Sequence, residues 1–242
     1  MKGFFITGTD TEIGKTLTTG LLAKCFLDVG IDVFPYKPVQ SGAIRKNNRL
    51  VAPDTEFYEK VTKRTFGRDA NTYVLETPSS PHLAASIDGV SIELEPIVEQ
   101  VKKLRNAHEL LLIEGAGGLI VPLNEEETIL DLIDRVSLPV ILVARAGLGT
   151  INHTVLSVMA LKQRKIRIAG IVLNQTSPNE MEEIERDNKR MIEKLTEVPV
   201  IGSLPYITQE ALNEVNMQDL FGNWKMEVLR EVVQSESATV NR

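Results

Sequence analysis

Cysteine is nearly absent from this chain of 242 residues: Cys25 is the only one. An internal disulfide framework is therefore excluded, and Cys25, set in an apolar helical pattern, reads as a core thiol rather than a nucleophile. Positive charge is in deficit as well, with 27 Lys and Arg against 33 Asp and Glu and a formal net charge of −6. With an isoelectric point near 5.3, the chain carries no general electrostatic footprint for nucleic acid or for an anionic membrane. Long apolar runs are missing, and none is long enough to span a bilayer. The amino terminus enters a strand-like run without a signal-peptide pattern, so the cytosol is the expected compartment. No linker rich in Gly, Pro or Ser divides the chain, and no internal repeat is visible. One domain over residues 1–234 is expected, with a polar, aperiodic tail over 235–242 that is expected to fray. His82 and His153 lack both zinc-ligand spacing and the partners of a Ser-His-Asp set, so each reads as a hydrogen-bonded structural histidine.

What is present is an ordinary globular balance, 43% hydrophobic and 25% charged, arranged as short apolar runs alternating with helical periodicity. Strands are expected at residues 4–7, 33–37, 110–114, 140–144, 169–174 and 200–204. Helices are expected near 16–29, 54–61, 95–105, 129–136, 150–163 and 180–195, with a closing helix over 221–233. Residues 45–91 are the least regular, and Thr77 to Pro81 reads as a loop. The alternation predicts an α/β fold, a P-loop NTPase-like and mostly parallel β-sheet with helices on both faces. In such sheets ligands gather beyond the carboxyl ends of the strands.

The polar motifs fall at those ends. Gly8-Thr9-Asp10-Thr11-Glu12-Ile13-Gly14-Lys15-Thr16 stands between the first strand and the first helix, the layout of a phosphate-binding P-loop. Its backbone N–H groups and the positive helix end cradle phosphates. Lys15 is expected to reach the terminal phosphates, and the Thr16 hydroxyl to bind Mg²⁺. Gly8 stands one residue early for the general motif, with Thr9 in the usual glycine position. Lys37-Pro38-Val39-Gln40-Ser41-Gly42 offers a cation and a hydroxyl beside that loop, although a solvated lysine and a turn serine fit the same residues. Glu114 ends the apolar run Leu110 to Ile113 and precedes Gly115-Ala116-Gly117-Gly118. A carboxylate placed there suits a Mg²⁺-associated acid. The turn Gly147-Leu148-Gly149-Thr150-Ile151-Asn152-His153 leads into a helix; it is either an anion-binding helix start or a plain one capped by Thr150. Asn174 ends a strand with the donor–acceptor pair that reads an adenine edge, or it is a turn former.

Together with Ser80-Pro81-His82-Leu83-Ala84-Ala85, these motifs, in this order and spacing, closely resemble the dethiobiotin synthetases over nearly the whole chain to about Val233. The early P-loop glycine is that family's own form. The resemblance implies a cytosolic homodimer that uses ATP, Mg²⁺ and CO₂ to close a cyclic urea on 7,8-diaminononanoate, the penultimate step of biotin synthesis. By the same resemblance Lys15 and Lys37 are the catalytic cations, and Thr16, Asp54 and Glu114 are the Mg²⁺ neighbours. Nucleotide contacts are implied for Glu12, Ile13, Gly14, Lys15, Thr16, Leu17, Asp54, Glu114, Gly115, Ala116, Gly117, Asn174, Pro205, Tyr206 and Ile207. Substrate contacts are implied for Thr11, Lys37, Ser41, Gly118 and, across the dimer interface, Leu148, Gly149, Thr150, Ile151 and Asn152. A glutamine-dependent amidase of this fold needs a hydrolysing domain with a Cys-His pair, for which the chain has no room. A ParA/MinD-like switch needs a Lys-Gly-Gly P-loop start and a basic or amphipathic membrane segment, both missing.

Overall fold

The computed structural model describes residues 3–178, 182–208, 210–229 and 231. In chain order the elements are β1 (Gly3–Gly8), α1 (Lys15–Asp28), β2 (Val33–Tyr36), β3 (Val39–Gln40), β4 (Ile44–Lys46), β5 (Arg49–Val51) and α2 (Pro53–Thr62). They continue with β6 (Tyr73–Val74), α3 (Pro81–Asp88), α4 (Leu94–Ala107), β7 (Leu110–Gly118), α5 (Ile129–Val136), β8 (Val140–Arg145) and α6 (Thr150–Gln163). Last come β9 (Ile168–Asn174), α7 (Glu182–Thr196), β10 (Val200–Leu204) and α8 (Met217–Phe221). Six strands form one parallel sheet in the order β10-β9-β8-β1-β7-β2.

The apolar runs become strands because both faces of each are covered. Alternate residues point to opposite sides. Phe5, Leu111, Ile113 and Leu142 join the core on one face, while Phe4, Ile6, Leu110, Leu112 and Val143 join the core on the other. A Leu or Ile side chain buried this way contributes roughly 1.5–3 kcal/mol. Pro35 sits in β2, which is bonded only to β7, and an edge strand tolerates its missing N–H. At the start of α5, Thr128 and Asp131 close a reciprocal capping box, which satisfies two amide donors of the first turn.

Several expectations need correction. β7 does not stop at Glu114 but runs on to Gly118, since small residues there can pair with β1 as far as Gly8. Besides α2, where a helix was expected, the stretch 45–91 holds β6, α3 and nearly all of the β4–β5 hairpin. Its strands are too short for periodicity to reveal, and Pro81 is the first residue of α3 rather than the end of a loop. The closing helix does not begin at Phe221: α8 ends there, and helical geometry resumes at 226–229. The rest of that helix beyond 231, the first two residues of the 180–195 helix and the tail 235–242 lie outside the described residues. Cys25 is half-buried rather than fully enclosed. Among the described residues no helix is long and apolar enough to cross a membrane.

Candidate active site

The loop between β1 and α1 is built around positions that demand particular backbone geometry. Gly14 has φ 95°, and a Cβ there would stand 2.3 Å from Asn174 Nδ2, so only glycine fits. The Thr9 N–H donates to the Val143 carbonyl at 3.0 Å and ties the loop to β8. The first intrahelical bond of α1 is Thr18 N–H to Gly14 O. The amides of Lys15, Thr16 and Leu17 precede it and lack intrahelical partners, as at any helix start, and such a turn favours anions. Lys15 is 7% exposed, and its Nζ donates to the Asp10 carbonyl at 2.7 Å. Burial, reinforced by the nearby charge of Lys37, lowers its pKa to about 8.

Beside this loop four elements bring a compact charge cluster together. Lys37, just past β2, places Nζ 2.7 Å from Glu114 Oε1 and 2.7 Å from Asp54 Oδ2. It also donates to the Gly115 carbonyl at 3.2 Å. Burial alone would depress the Lys37 pKa, but Glu114 and Asp54 outweigh it and hold the ammonium above its ordinary value. The Thr16 hydroxyl donates to the same Glu114 Oε1 at 2.9 Å. Glu114 is 1% exposed, a position a carboxylate tolerates only with dedicated donors. Asp54 is not a helix cap. Ala52 occupies that position with Pro53 next, and the Asp54 carboxylate turns to Lys37 instead. The oxygen set of Thr16, Asp54 and Glu114 fits Mg²⁺, which takes one or two carboxylates and completes its shell with water and phosphate oxygens. Among the described residues no group of three or more His, Cys, Asp or Glu is gathered for a metal.

One member of the cluster escaped the sequence reading. Tyr58, fully buried, donates its hydroxyl to Glu114 Oε2 at 2.5 Å. The available signal was its place four residues after Asp54 on α2, which puts the two side chains on one helix face.

The remaining residues divide into those that join this centre and those that stand apart. Thr11 lies against Gly117: a Cβ on Gly117 would be 3.6 Å from Thr11 Oγ1, and Gly118 packs on the backbone of Gly8 and Thr9. Thr11, Gly118, Ile120 and Leu156 line a pocket of about 330 Å³. Ser41 is half-buried in a loop pinned by the Gly42 N–H to the Thr77 carbonyl and the Ala43 N–H to the Leu75 carbonyl. Among the described residues the buried His82 Nδ1 has no hydrogen-bond partner, against expectation, while the backbone N–H donates to Pro122 O at 3.3 Å.

The 148–152 turn follows β8, separated from Glu114 by β1 in the sheet order, and does not join the charge cluster within one chain. Thr150 is not the cap either. Gly149, at φ 87°, holds that position, while Thr150 is buried with its hydroxyl 3.3 Å from that of Thr154. Leu148 is 91% exposed, and Asn152 is exposed beside the half-buried Ile151. Asn174 ends β9 against Gly14 of the P-loop. Its Nδ2 donates one of its two protons to the Ile13 carbonyl at 3.0 Å. Its Oδ1 is buried and unpartnered, an acceptor open to a ligand donor. Pro205, Tyr206 and Ile207 follow β10 next to it, with the Tyr206 N–H donating to Gln175 Oε1 at 3.2 Å.

A parallel sheet flanked by helices, with a glycine-hinged loop opening a helix on Lys-Thr beside a buried carboxylate, defines a P-loop nucleotide-binding α/β protein. Comparisons agree. Residues 2–214 match the family described as "AAA domain". Among solved structures, the MinC:MinD cell division complex of Aquifex aeolicus superposes with TM-score 0.54 at 14% identity, covering 98% of this chain and 96% of that one. A ParA family ATPase from Chlorobium tepidum gives TM-score 0.52 at 13% identity, covering 96% and 97%. At such identity these likenesses establish the fold alone. The sequence relatives are more particular. An ATP-dependent dethiobiotin synthetase of Halalkalibacterium halodurans is 42% identical over 240 residues, 98% of this chain and 99% of the relative. That of Anoxybacillus flavithermus is 49% identical over 209 residues, 86% and 93%. The chain belongs to the ATP-dependent dethiobiotin synthetase family, the ATP-dependent ligases of biotin biosynthesis.

Proposed function

We propose that this chain carries out ATP-dependent dethiobiotin synthesis from 7,8-diaminononanoate and CO₂ at the cluster of Lys15, Thr16, Lys37, Asp54 and Glu114. The observation that carries the reading is Lys37, buried at a P-loop and bridging two carboxylates. One neutral amine of the substrate captures CO₂ to give a carbamate. A carbamate oxygen then attacks the γ-phosphorus of ATP, releasing ADP and leaving a carbamic–phosphoric anhydride. The second amine attacks the anhydride carbon and expels phosphate as the ring closes. No covalent enzyme nucleophile is needed. The difficulty is electrostatic, because two anions must meet in line, and positioned cations in a site shielded from water relieve it. In this reading Lys15 holds the β- and γ-phosphates, and Lys37 neutralises the carbamate and the transferred phosphoryl group.

Thr16, Asp54 and Glu114 would hold Mg²⁺. When bound, that ion neutralises charge on the β- and γ-phosphate oxygens. Backbone N–H groups from Glu12 to Leu17 cradle the phosphates, with Gly115, Ala116 and Gly117 alongside. Asn174 accepts from the adenine amino group through Oδ1, and Pro205 to Ile207 border the base. Thr11, Ser41 and Gly118 bind near the diamine. The substrate carboxylate is received by Gly149 to Asn152 of a second copy, consistent with β1 lying between that turn's strand and β7 within one chain. Exposed Ile120, Leu156 and Met159, at 66%, 57% and 60%, support burial of this face in a homodimer. We place the enzyme in the cytosol, with neither nucleic acid nor membrane as partner.

The test is mass-spectrometric detection of dethiobiotin from the diamine, bicarbonate and Mg-ATP. Lys37→Gln is expected to lose most turnover while calorimetric ATP binding survives. Near-wild-type ring closure by that variant removes Lys37 from the mechanism. Phosphate release driven by DNA or lipid, instead of by diamine and CO₂, would favour a switch ATPase of the same fold.

A further inference from the structure

We propose that Tyr58 is a positioning residue that fixes the orientation of the Glu114 carboxylate and so sets the contribution of Mg²⁺ to nucleotide affinity. The inference rests on the reading of Glu114 as a metal-facing carboxylate. A carboxylate on a two-methylene stem can rotate, and in this cluster its two oxygens have different tasks. Oε1 receives Lys37 at 2.7 Å and Thr16 at 2.9 Å, and therefore faces the P-loop. Oε2 receives the Tyr58 hydroxyl at 2.5 Å. Removing that hydroxyl would leave Oε2 a buried acceptor without its donor, which is costly at a side chain as enclosed as Glu114. The carboxylate would recover by rotating Oε2 toward the Lys37 ammonium, and Oε1 would then lose its aim at Thr16.

Two further features distinguish Tyr58 from a core aromatic that has found a partner by chance. It lies four residues from Asp54, so one face of α2 supplies both a carboxylate to the cluster and the clamp on the other carboxylate. The helix is held close: a Cβ on Gly20 of α1 would meet Phe57 Cε1 at 2.7 Å, so α2 cannot be pushed away without repacking.

The experiment measures calorimetric affinity for ADP with Mg²⁺ and with EDTA, in wild type and in Tyr58→Phe. A Tyr58→Met variant, which also lacks the hydroxyl, is carried in parallel. The affinity gained from the metal is expected to fall about tenfold in both variants, as when an outer partner of a metal ligand is lost. Metal-free ADP affinity should stay within about twofold, since the phosphate loop itself is untouched. A purely structural role would weaken both affinities alike or neither, and either result overturns the inference. A metal gain present in wild type and intact in both variants overturns it while leaving the reading of Glu114 standing. No metal gain in wild type overturns that reading and this inference together.

Discussion

Replacing Lys15 by methionine should make the free protein more stable at neutral pH while destroying nucleotide binding. The ammonium is 7% exposed, and burial, with Lys37 nearby, lowers its pKa from 10.5 to about 8. The native state therefore binds this proton less tightly than the unfolded chain. Below pH 8 both states carry it and the full penalty of a buried cation is present; between 8 and 10.5 the native state has shed it, so stability rises with pH. The depression corresponds to about 3 kcal/mol. The hydrogen bond to the Asp10 carbonyl is lost with the lysine, which leaves a net gain of about 1–2 kcal/mol for Lys15→Met at pH 7. In a domain of this size that raises Tm by about 2–8 °C. At pH 10 the wild-type penalty shrinks to under about 1 kcal/mol, and the advantage of the variant should disappear. The assay is scanning calorimetry of both proteins, free of nucleotide and metal, at pH 7 and pH 10. ADP should raise Tm only for wild type. A variant less stable than wild type at pH 7, or a stability difference independent of pH, refutes the claim that the loop holds a destabilised cation for its ligand.

The same lysine predicts proton uptake on nucleotide binding. Phosphates restore its ordinary pKa, so about 0.5 proton per site should be taken up at pH 8 and about 0.9 at pH 9; calorimetry in buffers of different ionisation enthalpy checks this, and zero uptake at both pH values contradicts it. Gly14→Ala forces a left-handed residue and a Cβ into Asn174, at a cost of about 1–3 kcal/mol, and should abolish ADP binding; retention within about threefold of wild type would show that the loop can relax. Mixing a Lys37→Gln chain with an Asn152→Ala chain should partly restore ring closure, because one of the two hybrid sites is intact. No rescue in verified heterodimers argues against a shared site.

The sheet was legible because its strands are covered on both faces. Leu110 to Ile113 can satisfy that demand in only one kind of place, and the runs near 4–7, 140–144, 169–174 and 200–204 share the property. The P-loop was legible because its chemistry is local: a strand, a glycine hinge and a helix start lie within a few residues of each other. Elements between 45 and 91 were less legible, since two- and three-residue strands such as β4, β5 and β6 carry no period to count. Helix starts were misjudged where the capping residue is not a hydroxyl or an acid. Gly149 holds that position ahead of α6, so Thr150 drew attention to the wrong function.

The charge cluster marks where local reading stops. Thr16, Lys37 and Tyr58 meet Glu114 across separations of 98, 77 and 56 residues, and no spacing rule connects them. Lys37 and Glu114 could be named because each follows an apolar run, and in a parallel sheet such runs point their carboxyl ends to one edge. Asp54 required the family likeness. Tyr58 had neither aid, being an aromatic residue on an amphipathic helix, where burial in the core is the ordinary outcome. What separates it from the buried phenylalanines is its hydroxyl, which has to find an acceptor once water is excluded. In this fold the acceptor that α2 can reach is the carboxylate that Lys37 and Thr16 also use. A polar atom on a buried aromatic therefore deserves to be traced to its partner before the residue is assigned to packing alone, and here the trace ends at the centre of the site.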